Sequence, residues 1–141
     1  MSTPTFEDWL AIVGALNRLG ALYDARDWDH LDEVLLPDGL IYGQRGLEAL
    51  LENNLLAHLG GCGPSQHFLG NYDIAVDGDT ATSDTRVRAF HRGADELADR
   101  TFETFGVYHD RWVRTAQGWR MAERELQVDM NIGDISVLKR N

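Results

Sequence analysis

The chain is short of the elements that would place it in several large classes. It has one cysteine, Cys62, in 141 residues, so neither an internal disulfide nor a multi-cysteine metal site is possible. It has only 3 prolines. No apolar run approaches the ~20 residues that span a bilayer as a helix. Basic residues number 13 against 23 acidic ones, a net charge of -10. That balance argues against nucleic acid, whose phosphates demand a basic face, and against anionic membrane surfaces. The segment MSTPTFEDW carries no basic stretch and no apolar stretch of the kind a secretory leader needs, so a cytoplasmic location is the expectation. GxSxG and HExxH spacings are missing. The glycine cluster Gly60-Gly61-Cys62-Gly63 follows a helical stretch, whereas a dinucleotide loop follows a strand. No cofactor and no metal are therefore expected.

What is present reads as a globular domain over residues 1–141, with a core over about 6–130 and a tail, 131–141, that the pattern does not place. Hydrophobic residues make up 43% and charged residues 26%. Trp9, Ile12, Val13, Leu16, Leu19 and Tyr23 recur at three- and four-residue steps, which predicts an amphipathic helix of about five turns. Asp27 is placed to cap a short second helix that Pro37 ends. Gly39 to Tyr42 suits a short strand, and Gly46 opens a third helix that the glycine cluster breaks. Four strand-like stretches follow: His67 to Val76, Thr80 to His91, Thr101 to Thr115 and Trp119 to Met130. Asp77-Gly78-Asp79 and Gln117-Gly118 supply tight turns. Helices first and an antiparallel meander afterwards predict an α+β fold, with helices on one face of a curved sheet that encloses a pocket.

Histidine is the side chain best suited to move protons near neutral pH, and five are present: His30, His58, His67, His91 and His109. His67 opens the first long strand just after the glycine cluster, where a side chain can face a cavity mouth. Asp24 ends the first helix beside Tyr23, and a carboxylate next to an imidazole fixes its tautomer and stabilises the imidazolium. Alternation along the next strand puts Val107, His109 and Arg111 on one face and Tyr108, Asp110 and Trp112 on the other. The bland alternatives are a helix-end aspartate in water and cross-strand polar packing of the histidines. Zinc ligation by strand histidines is the other alternative, and no ligand spacing favours it.

Four blocks carry a resemblance. They are Tyr23-Asp24-Ala25-Arg26-Asp27-Trp28-Asp29-His30-Leu31, Ser65-Gln66-His67-Phe68-Leu69-Gly70-Asn71, Phe90-His91, and Gln117-Gly118-Trp119-Arg120-Met121-Ala122-Glu123. In this order they resemble the SnoaL-like and scytalone dehydratase branch of the nuclear transport factor 2-like superfamily, over roughly Phe6 to Met130. The resemblance implies a cone of curved antiparallel strands lined by three helices. It also implies an active site at Tyr23, Asp24, His67 and His91, a His-Asp pair shared with the hexachlorocyclohexane dehydrochlorinases, and substrate contacts from Tyr42, Val107, His109 and Trp28. Two positions depart from the family pattern. Tyr42 lies one residue before the place of a family tyrosine, which Gly43 holds, and Val107 and His109 stand where the dehydratases use serine and asparagine. The substrate is therefore expected to differ from scytalone.

The implied activity is a lyase or isomerase, dehydratase-like, that abstracts a proton from a cyclic polyketide-, steroid- or aromatic-like substrate. The alternative is a non-catalytic ligand-binding or accessory protein of the same fold. The partner expected is a small hydrophobic cyclic molecule, with no nucleic acid and no membrane. A homodimer or homotrimer is expected, its apolar outer surface supplied by Phe102, Phe105 and Trp112.

Overall fold

A computed structural model describes residues 3–139. Helix α1 (Phe6–Ala25) starts where the Thr5 hydroxyl accepts from the Asp8 amide at 3.1 Å, with Glu7 and Asp8 in the positive first turn. Its buried stripe is Ile12, Val13, Leu16, Leu19, Leu22 and Tyr23. The second helical stretch, Trp28–Glu33, is a 3₁₀ helix, and the Asp27 carboxylate pairs with His30 at 2.8 Å instead of capping it. The third stretch is continuous from Leu47 to Leu59. It contains α2 (Leu47–Leu50), a π turn (Leu51–Leu55) and α3 (Leu56–Leu59).

Six strands follow one another as β1 (Leu35–Ile41), β2 (Gln44–Arg45), β3 (Ser65–Asp77), β4 (Thr80–Arg92), β5 (Thr101–Thr115) and β6 (Gly118–Gly133). They form one sheet in the order β2-β1-β6-β5-β4-β3. The meander from β3 to β6 is antiparallel, as the turn signals predict. The β1–β6 pair is parallel, and no local pattern announces it. Pro37 lies inside β1 and does not act as a stop. The unplaced tail extends β6 through Gly133 and ends in a 3₁₀ turn, Ile135–Leu138; residues 140 and 141 lie outside the described ones.

Burial alternates strictly along β4, with Ala81, Ser83, Thr85, Val87, Ala89 and His91 inward. The same alternation governs β5, where Phe102, Tyr108, Asp110 and Trp112 are buried. Phe102 and Trp112 therefore belong to the concave face, not to the outer surface expected of them. The indole of Trp112 donates to Ser83 Oγ at 2.8 Å inside the core. The outer apolar side chains are Phe68, Phe90, Phe105, Met130 and Ile132. Register shifts between Gly70 and Asp73 on β3, and at two points between β5 and β6, add bulges that bend the sheet over α1. The main core fills the closed end with α1, Ile74, Val76, Trp112, Trp119 and Met121. Val87, Ala89 and Tyr108 form a separate cluster that walls a cavity at the open end.

Candidate functional site

The cavity holds about 160 Å³ between the concave sheet and the third helical stretch. One wall is histidine. His67 Nδ1 lies 2.6 Å from Asp24 Oδ1, and the His67 amide donates to Asp24 Oδ2 at 2.9 Å. The Ser65 hydroxyl donates to Asp24 Oδ1 at 3.0 Å. Partial burial works to raise the Asp24 carboxyl, but the hydrogen bonds from His67 outweigh it and hold the group below its ordinary value. An ionised Asp24 accepts only, so the Nδ1 proton of His67 stays on that side and the neutral ring keeps its lone pair at Nε2. Nε2 has no partner among the described residues, and the ring lines the cavity.

His91 stands beside it, ring centroids 5.9 Å apart and nearly perpendicular. Its Nδ1 donates to the Phe102 carbonyl at 3.0 Å, so its Nε2 is also an acceptor. Burial lowers the His91 pKa and keeps the ring neutral. His58, at the mouth, donates from Nδ1 to the Asn54 carbonyl at 2.8 Å. Among the described residues, no cluster of three or more His, Cys, Asp or Glu side chains is placed to hold a metal ion.

The facing wall is phenolic. Tyr23 packs edge-on against His67, 5.5 Å between centroids, and its hydroxyl meets that of Tyr42 at 3.3 Å. Tyr42 also interacts with Tyr108, and both line the cavity. Burial pushes Tyr23 and Tyr108 well above ordinary phenols, so both remain neutral hydroxyls. Behind Tyr108, the Arg124 guanidinium lies 3.5 Å from the ring centroid and makes two hydrogen bonds to Asp110, at 2.7 and 2.9 Å. Burial works against the charge on Arg124, but Asp110 more than offsets this and keeps it cationic.

Tyr23, Tyr42, His67 and His91 thus line one cavity, and Asp24 stands behind His67 without lining it. Tyr42 reaches it despite its one-residue offset because its backbone is left-handed, with φ +51°. Gly43, at φ +78°, completes the turn. A left-handed non-glycine residue costs ~1–2 kcal/mol, and here it turns the phenol toward Tyr23. Val107, His109 and Trp28 do not line the cavity. Trp112 and Asp110 are buried, so alternation sends Val107 and His109 to the convex face. There His109 bonds Asp84 at 2.6 Å and Gln127 at 3.0 Å. Trp28 packs behind Tyr23, 6.4 Å between centroids.

The sequence reading assigned no part in the cavity to Tyr108, His58, Asn54 or Leu138, all of which line it. For Tyr108 a signal existed: a strand carrying Trp112 buries that face, and Tyr108 shares it. Asn54 and His58 face inward from the π turn and the helical turn after it, where the register departs from 3.6 residues per turn.

Residues 4–125 match the model of the SnoaL-like domain. An uncharacterized protein of Mycobacterium tuberculosis H37Rv, Rv2910c, is 35% identical over 131 residues, covering 88% of this chain and 87% of the relative. A protein of Novosphingobium aromaticivorans provisionally named a scytalone dehydratase superposes with a TM-score of 0.78 at 22% identity, covering 88% of this chain and 85% of that one. The hexachlorocyclohexane dehydrochlorinase LinA-type3 of Novosphingobium barchaimii superposes with a TM-score of 0.73 at 16% identity, covering 88% of each chain. No helix among the described residues is long and apolar enough to cross a membrane. A nuclear transport factor 2-like superfamily protein of Salmonella enterica shares the fold, with a TM-score of 0.74 at 19% identity, covering 84% of this chain and 89% of that one. The chain belongs to the SnoaL-like family.

Proposed function

We propose that this protein is a cytoplasmic lyase or isomerase of the dehydratase type. It acts on a carbonyl compound that places one ring in the cavity. The observation that carries this reading is the 2.6 Å contact of His67 Nδ1 with Asp24, which leaves Nε2 as a base at the cavity surface. A protein that only binds has no need of that arrangement. The volume supports the single ring: a cavity of about 150 Å³ is enough for benzene, so further rings of a larger substrate would project through the mouth.

In this reading His67 Nε2 takes a proton from the carbon next to the carbonyl. The C–H electron pair forms a carbon–carbon double bond and the carbonyl π pair moves to oxygen, giving an enolate held by the phenolic hydroxyls of Tyr23, Tyr42 and Tyr108. Asp24 stabilises the imidazolium. The enolate then collapses. In dehydration it expels hydroxide from the adjacent carbon, and the His67 imidazolium protonates that group as it leaves as water. In isomerisation the same proton returns to a different carbon. His91 Nε2, an acceptor, takes a hydrogen bond from a substrate hydroxyl.

The test is His67→Ala with the fold checked by circular dichroism, assayed on single-ring β-hydroxy ketones that the wild type turns over. General-base loss should cost ~10²–10⁴-fold; unchanged turnover would falsify the reading. The protein is further proposed to form a homodimer or homotrimer through the convex face that carries Phe68, Phe90 and Phe105. Light scattering of the wild type and of Phe68→Glu checks this, and a monomeric wild type refutes it.

A further inference from the structure

Arg26 ends α1 in a left-handed conformation, φ +54°, where glycine is the usual residue. Its side chain joins four pieces of the chain. Nε donates to the Leu59 carbonyl at 2.9 Å, and Nη1 to the carbonyls of Tyr23 at 2.8 Å and Asp24 at 3.3 Å. Nη1 also donates to Ser65 Oγ at 2.8 Å, while Nη2 donates to Gly63 O at 2.7 Å and Cys62 Sγ at 3.1 Å. Among the described residues none of these partners is a carboxylate, although a guanidinium ordinarily seeks one. The carboxylate it serves is one hydroxyl away: Ser65 Oγ accepts a hydrogen bond from Arg26 and donates its own proton in a hydrogen bond to Asp24 Oδ1 at 3.0 Å.

We infer that Arg26 is a positioning residue for the His67–Asp24 pair, acting through Ser65. The proposal rests on the reading of His67 as the proton-transferring group. A guanidinium can only donate, so Ser65 must accept from it, and the single Ser65 proton is left for Asp24. The direction of the relay is thereby set as Arg26 to Ser65 to Asp24, with His67 Nδ1 donating to the same carboxylate from the cavity side. Asp24 Oδ1 then has fixed donors on two sides, and rotation of the carboxylate away from His67 would break both bonds. The glycine cluster, unused by the chemistry, finds its role here. A Cβ on Gly63 would come within 2.7 Å of the Gly93 carbonyl, so only glycine lets this loop pass close enough for its own carbonyl to reach Arg26. The αL strain at Arg26 marks a position where the side chain is needed more than a relaxed cap.

The test reads His67 directly and needs no substrate. Long-range proton–nitrogen spectra of protein labelled with ¹⁵N-histidine report the tautomer of each ring between pH 5 and pH 9. In the wild type the neutral His67 ring is expected to carry its proton on Nδ1, facing Asp24. Ser65→Ala and Arg26→Met should each raise the Nε2–H fraction of His67 several-fold, with the effect in Arg26→Met no larger than in Ser65→Ala, while His109 on the convex face keeps its spectrum. Arg26→Lys, which retains charge but not the fork, should resemble Arg26→Met. Ser65→Ala removes one oxygen and leaves α1 anchored, so it decides the matter if Arg26→Met does not fold. An unchanged His67 tautomer in Ser65→Ala and in every folded Arg26 variant overturns the proposal, whatever happens to the melting temperature. That result is distinct from failure of the catalytic reading, which His67→Ala turnover alone decides.

Discussion

Two histidines of the same sheet each pair with an aspartate, His67 with one from α1 and His109 with one from β4, and locally the pairs are alike. In each, Nδ1 lies 2.6 Å from a carboxylate oxygen. His67 with Asp24 belongs to the concave side, with side-chain exposures of 7% and 25%; the His67 ring lines a cavity and its Nε2 has no partner among the described residues. His109 with Asp84 belongs to the convex side, at 41% and 57%, and its Nε2 is taken by Gln127. Hydrogen bonds to Gln127 and Asp84 raise the His109 pKa, so it tends toward a solvated imidazolium with both nitrogens occupied. The lesson is that the pair alone makes neither a base nor a site. Which face of the strand it occupies decides whether the second nitrogen remains available and whether water is kept away.

That contrast can be broken by experiment. The largest effect is expected in turnover. Asp24→Asn should lower kcat by ~10²–10⁴-fold, because the amide no longer enforces the tautomer. Asp84→Asn should leave kcat unchanged; equal losses in steady-state assays would erase the distinction between the faces. Next, Tyr42→Phe removes one donor to the developing oxyanion and should cost up to ~10²–10³-fold in kcat with KM little altered. Stability gives a parallel contrast. Arg124→Met leaves Asp110 buried and unpaired and should lose ~3–5 kcal/mol in urea unfolding. Glu103→Gln, which breaks the exposed Arg88 pair, should lose less than ~1 kcal/mol.

The smallest effect is in pH dependence, and its sign differs between the faces. The Asp24 carboxyl is held below its ordinary value, so its contribution is complete above the ordinary carboxylate range and is lost as pH falls through the folded value. His109 is raised above its ordinary value, so its contribution is complete below that value and fades as pH rises through the folded one. Urea midpoints from pH 3 to pH 9 should therefore show Asp24→Asn converging with the wild type in acid. His109→Gln should converge with it in mild base, with a difference below ~1 kcal/mol elsewhere. Convergence at the opposite ends would refute the assignment.

Much of the fold was legible because it is periodic. The α1 stripe and the alternation of β4 follow from spacing over ten or more residues, and the two tight turns from short glycine motifs between strands. The candidate site was legible in part. Asp24 and His67 stand out by residue type and by their places at element ends, but nothing in a 43-residue separation says that they meet. Val107 and His109 were misplaced because a resemblance in strand position carries no parity, whereas burial of Trp112 does. Arg124 was invisible for a different reason. It lies among Glu123 and Glu125 and reads as part of a solvated charged run. Only the register that sets it directly opposite Asp110 makes it a core residue. Tyr42 depended on a backbone angle, and the parallel β1–β6 pair on a long-range contact.

The sequence by itself determined the order of helices and strands, the alternation that separates a concave from a convex face, and the family, because these rest on local periodicity and on motif identity. The tertiary structure alone decided which polar groups meet at and behind the cavity wall. His67, Asp24, Ser65 and Arg26 join across about 40 positions, and Tyr42, Tyr108 and Arg124 across more. Such contacts are set by strand register, by two left-handed backbone positions and by how closely a glycine loop can pass. None of these has a signature within the reach of one turn or one strand.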